Sequence, residues 1–209
     1  IKNISKSFFR SIENEKGKND HEVTRVLYDL SLTVSHATIT ALIGDNATGK
    51  TTLFNIISGL LKPDSGEIIY HDYKKDKQPV LTNTTPWKVP SLGIGRMFQE
   101  SHIFENLTVL ENMYVSDLTL QGESVQQALF GRKNYRKREK HRAERAEYIL
   151  NEWFGENTDI WRKRNDPAAV LSEGEKRILG LARLFMDDYR LLLLDEPTSG
   201  QNQVLFDKI

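Results

Sequence analysis

Eight residues constrain this chain more than any others: Gly44-Asp45-Asn46-Ala47-Thr48-Gly49-Lys50-Thr51. They satisfy G-x-x-x-x-G-K-[ST] at every fixed position, the pattern of a phosphate-binding loop. Thr38-Ile39-Thr40-Ala41-Leu42-Ile43 predicts a short buried strand feeding the loop. Thr51 to Leu60 predicts the helix leaving it, with Leu53, Ile56, Ile57 and Leu60 on one face. Strand, glycine loop and helix together are the setting in which the pattern carries chemical meaning. The glycines let successive backbone N–H groups point into one concavity, and the helix N-terminus adds partial positive charge. The result suits a polyphosphate. Lys50 would reach the β- and γ-phosphates, and the Thr51 hydroxyl would ligate Mg²⁺. A glycine-rich turn with an incidental lysine is the alternative, and the flanking elements weigh against it.

A length of 209 residues allows one domain, or one domain with a subdomain. Lys plus Arg and Asp plus Glu balance at 29 each, so no global field points to nucleic acid or to an acidic partner. With no cysteine there is no disulfide framework and no thiolate metal site. No apolar run approaches the roughly 18 residues needed to cross a bilayer, and the chain is expected to be soluble. It starts at Ile1 without a methionine, and Gln203 to Ile209 stops inside what reads as a helix. A fragment of a longer chain is expected.

Before the loop, residues 1–9 alternate weakly, as an edge strand would, and Arg10 to Asp20 reads as a polar hairpin loop. Val26 to Val34 alternates with period two and predicts a half-buried strand. After the helix come a turn over 62–66, a strand over Glu67 to Tyr70, and an irregular polar stretch over 72–88. Ile94 to Gln99 predicts another strand. Thr108 and Glu111 form a capping-box pattern, and the sequence reads as helical and charged from there to Val170. Eight basic and two acidic residues fall within Arg132 to Arg145. Such a run is most often a solvated helix face, with docking to a partner or to anionic lipid as the sharper reading. Leu171 to Arg190 predicts a further helix, capped by Ser172 with Glu175 completing the box. Leu191-Leu192-Leu193-Leu194 then predicts a central strand buried on both faces, ending at Asp195-Glu196-Pro197.

Leu171-Ser172-Glu173-Gly174-Glu175, followed by Leu191 to Gly200, resembles the signature motif, Walker B strand and D-loop of ABC transporter ATPase domains. Gly93 to Gln99 and Leu107 to Asn112 resemble the ATPases of branched-chain amino-acid importers. The resemblance covers nearly the whole chain. It implies an α/β fold: a P-loop NTPase core with an N-terminal antiparallel β subdomain over 1–98 and 171–209, and an inserted α-helical subdomain over 99–170. It implies ATP and Mg²⁺ as cofactors. ATP would lie on Phe8 and on Gly44, Asp45, Asn46, Ala47, Thr48, Gly49, Lys50, Thr51, Thr52 and Asp195. Thr51, Gln99 and Asp195 would serve the metal, and Glu196 and Gln99 the hydrolysis. Ser172, Glu173, Gly174 and Glu175 would face the ATP of a second, head-to-tail copy. The further partner would be a membrane permease, through which this chain would sit in the cytoplasm, peripheral on the inner face of the cell membrane, with no nucleic acid expected.

Plain readings stand beside these. Asp195-Glu196-Pro197 could simply end a strand, Gln99 could be a polar strand-end residue, and Phe8 could be packing. A capping box alone would explain Ser172 and Glu175. A soluble ABC protein acting on nucleic acid or the ribosome, and a regulatory module without turnover, are the alternative functions. The chain also departs from the family. Ala47 stands where the family carries glycine, which matters if the backbone there needs φ > 0. Glu173 replaces the first signature glycine and puts a carboxylate where a γ-phosphate should approach. Glu175 replaces glutamine, and Asn202 the D-loop aspartate. None of His21, His36, His71, His102 or His141 sits where the switch histidine belongs. This chain is therefore expected to bind ATP and to hydrolyse it poorly.

Overall fold

The computed structural model describes residues 1–13, 19–72, 78–99, 102–115, 132–156 and 158–197, with the side chains of 11–13, 19–21 and 132–139 left aside. The D-loop position Asn202 and the expected helix over 203–209 lie outside the described residues. The chain divides into two compact units, Ile1–Leu92 and Gly93–Ile209.

The first unit is built on an antiparallel hairpin, β1 (Lys2–Glu13) and β2 (Asn19–Leu30), with β3 (Ser65–Glu67) on the other edge of β1. Phe8 pairs with Thr24, Arg10 with Glu22 and Glu13 with Asn19. Of the polar stretch expected as loop over Arg10 to Asp20, 10–13 and 19–20 are strand, and 14–18 lie outside the described residues. A solvated hairpin needs no apolar alternation, because its backbone ladder holds it. Helix α1 (Lys50–Ile57) buries Leu53, Ile56 and Ile57 as expected, whereas Leu60 lies beyond its end and is exposed. Residues after β3 form an isolated bridge between Ile69 and Val80 and three single 3₁₀ turns.

The strand expected over 38–43 is not formed. Those residues belong to neither sheet, and Ile39 and Ile43 are 89% and 91% exposed. A strand is sustained by ladder partners and by cover on its faces, not by its own pattern. Among the described residues this segment has no ladder neighbour in either sheet.

The second unit pairs β4 (Ile94–Met97) in parallel with β5 (Leu191–Leu194), Arg96 standing opposite Leu193. A parallel pair needs a crossover, and the helices supply it: α2 (Val109–Val115), α3 (Arg132–Phe154), α4 (Asp159–Arg162) and α5 (Glu173–Leu184). Their apolar faces meet in one core that includes Met113, Ala146, Leu150, Ile160, Leu179 and Ala182. The expected burial of β5 on both faces is incomplete. Leu193 is buried and its neighbours half-buried, because β4 is the strand's only sheet neighbour among the described residues. Helix α5 stops at Leu184, six residues before the predicted end. There the chain turns back so that the Arg190 and Leu191 N–H groups donate to the Gly93 carbonyl, which starts the β4–β5 ladder. The Tyr189 ring packs so close to Gly95 that a Cβ there would lie 2.6 Å from it.

Candidate functional site

The phosphate-loop pattern takes the shape its residues allow. Gly49 has φ +94° and caps α1, and a Cβ there would meet the Leu27 and Val26 side chains of β2 at 2.8 and 2.9 Å. Only glycine fits both conditions. The Lys50 side chain folds back across the loop, and Nζ donates to the Gly44 and Asp45 carbonyls at 2.6 Å each. The Thr48 hydroxyl donates to the Asp45 carbonyl at 2.9 Å and closes the turn. Thr51, on the first turn of α1, is exposed, and Thr52 is half-buried. The loop thus places a lysine ammonium beside the start of α1, a composition suited to an anion.

Ala47 has φ +63°. The condition stated from sequence therefore holds: a left-handed backbone carries a Cβ, at a cost of about 1 kcal/mol. Ala47→Gly is expected to raise stability by up to about 1 kcal/mol, less the entropy glycine loses on folding. Urea denaturation reads this directly, and a loss of stability would show that the Cβ supports the loop.

Phe8 is 41% exposed, so core packing does not account for it. Lys6 Nζ lies 5.8 Å from its ring centroid and is held there by Asp64 at 2.7 Å. The bond from Lys6, then one from the Ser7 N–H, keeps the Asp64 carboxyl below the usual carboxylate range.

In the second unit, chain segments nearly a hundred residues apart meet. Gln99 Nε2 lies 3.5 Å from Glu196 Oε2. Both are exposed, and Glu196 sits at φ +47°, a strained backbone for a residue with a side chain. Asp195, one residue back, is buried and carries an ion pair to Arg96 of β4, 3.6 Å between Nη2 and Oδ2, with both side chains 6% exposed. Arg96 also lies over the Phe98 ring at 4.6 Å. Burial pushes the guanidinium below the usual arginine range, and the Asp195 charge draws it back up. Sequence reading missed Arg96. The signal was the parallel register, which puts Asp195 on the same face as Leu193 and diagonal to Arg96.

Ser172 caps α5 in a complete capping box: its N–H donates to Glu175 Oε2 at 2.8 Å, and its hydroxyl accepts from the Glu175 N–H at 3.3 Å. Glu173 is highly exposed but not bare. Lys176 Nζ donates to it at 3.1 Å and to Glu105 at 2.6 Å. Those two bonds, Glu105 first, push the Lys176 ammonium above its ordinary range. The spacing of Glu173 and Lys176 made this pair readable from sequence.

The sequence pattern of the ABC transporter family matches residues 27–199. The chain belongs to the ABC transporter family. It is 34% identical over 181 residues to a probable branched-chain amino acid transport ATP-binding protein, LivG, of Archaeoglobus fulgidus, covering 87% of this chain and 65% of that protein. The LivG protein of Methanocaldococcus jannaschii is 31% identical over 176 residues, covering 84% and 63%. This chain therefore spans just under two thirds of the length of these relatives. Among solved structures, a nucleotide-free ATP-binding cassette from an ABC transporter superposes with a TM-score of 0.66 at 29% identity, over 95% of this chain and 68% of that one. The fold is accordingly the α/β ABC cassette fold, with its P-loop, antiparallel sheet and helices. No described helix is long and apolar enough to cross a membrane.

The residues expected to serve Mg²⁺ each offer a hard oxygen, the Thr51 hydroxyl in the first unit and the Gln99 amide oxygen and Asp195 carboxylate in the second. No cluster of three or more metal-binding side chains occurs among the described residues.

Proposed function

We propose that this chain is the ATP-binding part of an ABC transporter subunit, which hydrolyses ATP between two head-to-tail copies to drive a membrane permease. The observation that carries the reading is the phosphate loop, with Gly49 and Ala47 at positive φ and the Lys50 ammonium lying across it. The loop N–H groups, Lys50 and the start of α1 bind the phosphates, and Phe8 stacks on the adenine. Glu196 orients and polarises the attacking water, and Gln99 supports it. Thr51, Gln99 and Asp195 are the residues that would hold Mg²⁺, which would supply neutralisation of the phosphate charge. Ser172 and Gly174 of the second copy complete the site. Residues 1–98 and 171–209 form the nucleotide-binding core, and 99–170 form the helical subdomain that meets the permease at the inner membrane face. The LivG relatives, branched-chain amino acid transport ATP-binding proteins, support a transport role.

ATP-dependent phosphate release by the full-length protein tests the reading. Glu196→Gln is expected to lower the rate by about a hundredfold or more while ATP still binds. Absence of ATP-stimulated turnover, or undiminished turnover in the variant, overturns it. The same background tests the departure at Glu173. Glu173→Gly removes a carboxylate from the end that meets the partner's γ-phosphate, so the ATP-bound dimer fraction in sedimentation should rise. Because Lys176 already offsets part of that charge, the gain is set at roughly severalfold, within the range of a partly screened interaction. An unchanged dimer fraction would show that Lys176 neutralises it fully.

A further inference from the structure

Gln99 and the segment from His102 to Glu105 are gripped by α5, and the grip is cationic. Arg177 Nη2 donates to the Gln99 carbonyl at 2.9 Å. Lys176 Nζ reaches Glu105 at 2.6 Å. Arg183 Nη1 donates to the His102 carbonyl at 2.7 Å, and its guanidinium lies 5.6 Å from the Phe104 ring centroid. Lys176 and Arg183 are seven residues apart, two turns along one helix face. From α2, the wholly buried Asn112 fixes the same segment: Oδ1 accepts from the Phe104 N–H at 2.9 Å, and Nδ2 donates to the Phe104 and Thr108 carbonyls at 2.9 and 3.0 Å.

Loop carbonyls have no ladder to satisfy them, so each needs a donor from elsewhere, and a charged donor makes the stronger bond. Here those donors come from the helix that begins at the signature residues. At the head of the segment, the Gln99 amide lies 3.5 Å from Glu196. Pinning the Gln99 carbonyl fixes its backbone and leaves only its side-chain torsions to aim the amide.

We propose that Arg177 is a positioning residue for the Gln99–Glu196 pair: by holding the Gln99 carbonyl it sets the place from which the Gln99 amide meets the Glu196 carboxylate. Lys176 and Arg183 keep the rest of the segment in register with α5. A displacement of α5, whose first turn carries Glu173 and Gly174, therefore carries Gln99 with it. The inference rests on the ATPase reading of the site and names the residue that aligns it.

The test is a double-mutant cycle in the full-length protein. Arg177→Met keeps the aliphatic stem and removes the donor. It is expected to lower kcat about ten- to a hundredfold, the scale of a small misplacement of a reacting group, with the KM for ATP within about twofold of wild type. Combined with Gln99→Ala, it should cost little beyond Gln99→Ala alone. Effects that multiply, or a rise in KM at unchanged kcat, overturn the proposal. Should Arg177→Met unfold at the assay temperature, Arg177→Lys, which keeps a cationic donor, must recover most of the rate, and failure to recover it also overturns the proposal. Amide hydrogen exchange separates this from the ATPase reading. If wild type shows no turnover, that reading fails, and the grip is still read by faster exchange at Phe98 and Gln99 in Arg177→Met. Unchanged exchange there removes the positioning role.

Discussion

Replacing Lys50 with alanine is expected to raise the dissociation constant for ATP by about a hundredfold or more, the loss of a strong charge-assisted contact to phosphate. The loop itself should survive. Lys50 Nζ donates to the Gly44 and Asp45 carbonyls, and both residues are exposed, so water takes over those bonds when the side chain is cut. Gly49 still fits its crowded left-handed position against β2, and Thr48 still closes the turn on Asp45. The melting temperature is therefore expected to stay close to that of wild type while affinity collapses. Fluorescent-nucleotide titration and thermal unfolding, run on the same samples, read the two quantities. Retained affinity would undo the phosphate-loop assignment. Joint loss of affinity and fold would show that the lysine holds the loop together.

How much of this was legible in the sequence follows from how local each feature is. The capping boxes at Thr108 and Ser172 and the burial of Leu53, Ile56 and Ile57 on α1 depend on residues within one or two turns of each other, and each stands as the pattern implied. The strand over 38–43 did not form because a strand needs partners, which no local pattern supplies. The hairpin ran further than its composition suggested because ladder bonds ignore side-chain polarity. At the candidate site, Gln99, Asp195 and Glu196 were singled out by motif, but the residues that contact them were not. Arg96 reaches Asp195 through strand register, and Arg177 reaches Gln99 from a helix 78 positions on. Neither distance is encoded in spacing. A basic residue at each position was visible, and what each one touches was not.

Arg96 carries the second large effect. Arg96→Met is expected to destabilise the second unit by roughly 3–5 kcal/mol, the cost of leaving a buried charge without its partner. Two features make this site sensitive. Both side chains of the pair are almost fully withdrawn from water, so the Asp195 carboxylate cannot be rescued by solvent where it stands. The guanidinium also covers the Phe98 ring at 4.6 Å, and methionine replaces that contact only in part. Asp195→Asn is expected to be costly for the mirror reason, because it removes the negative charge that faces the buried arginine. The double variant should then lose less than the two single changes added together, since it removes both charges at once. Chemical denaturation of the four proteins measures the coupling. Strict additivity would mean that the 3.6 Å separation between Nη2 and Oδ2 carries no energy. A positive coupling has a further consequence for the loaded site. Arg96 and the Mg²⁺ proposed at Asp195 then draw on one carboxylate, so Arg96→Gln, which lowers that competition while keeping a donor, should tighten Mg²⁺ binding in the presence of ATP. Titration calorimetry decides the point, and weaker binding would show that Arg96 instead holds Asp195 in the orientation the metal uses.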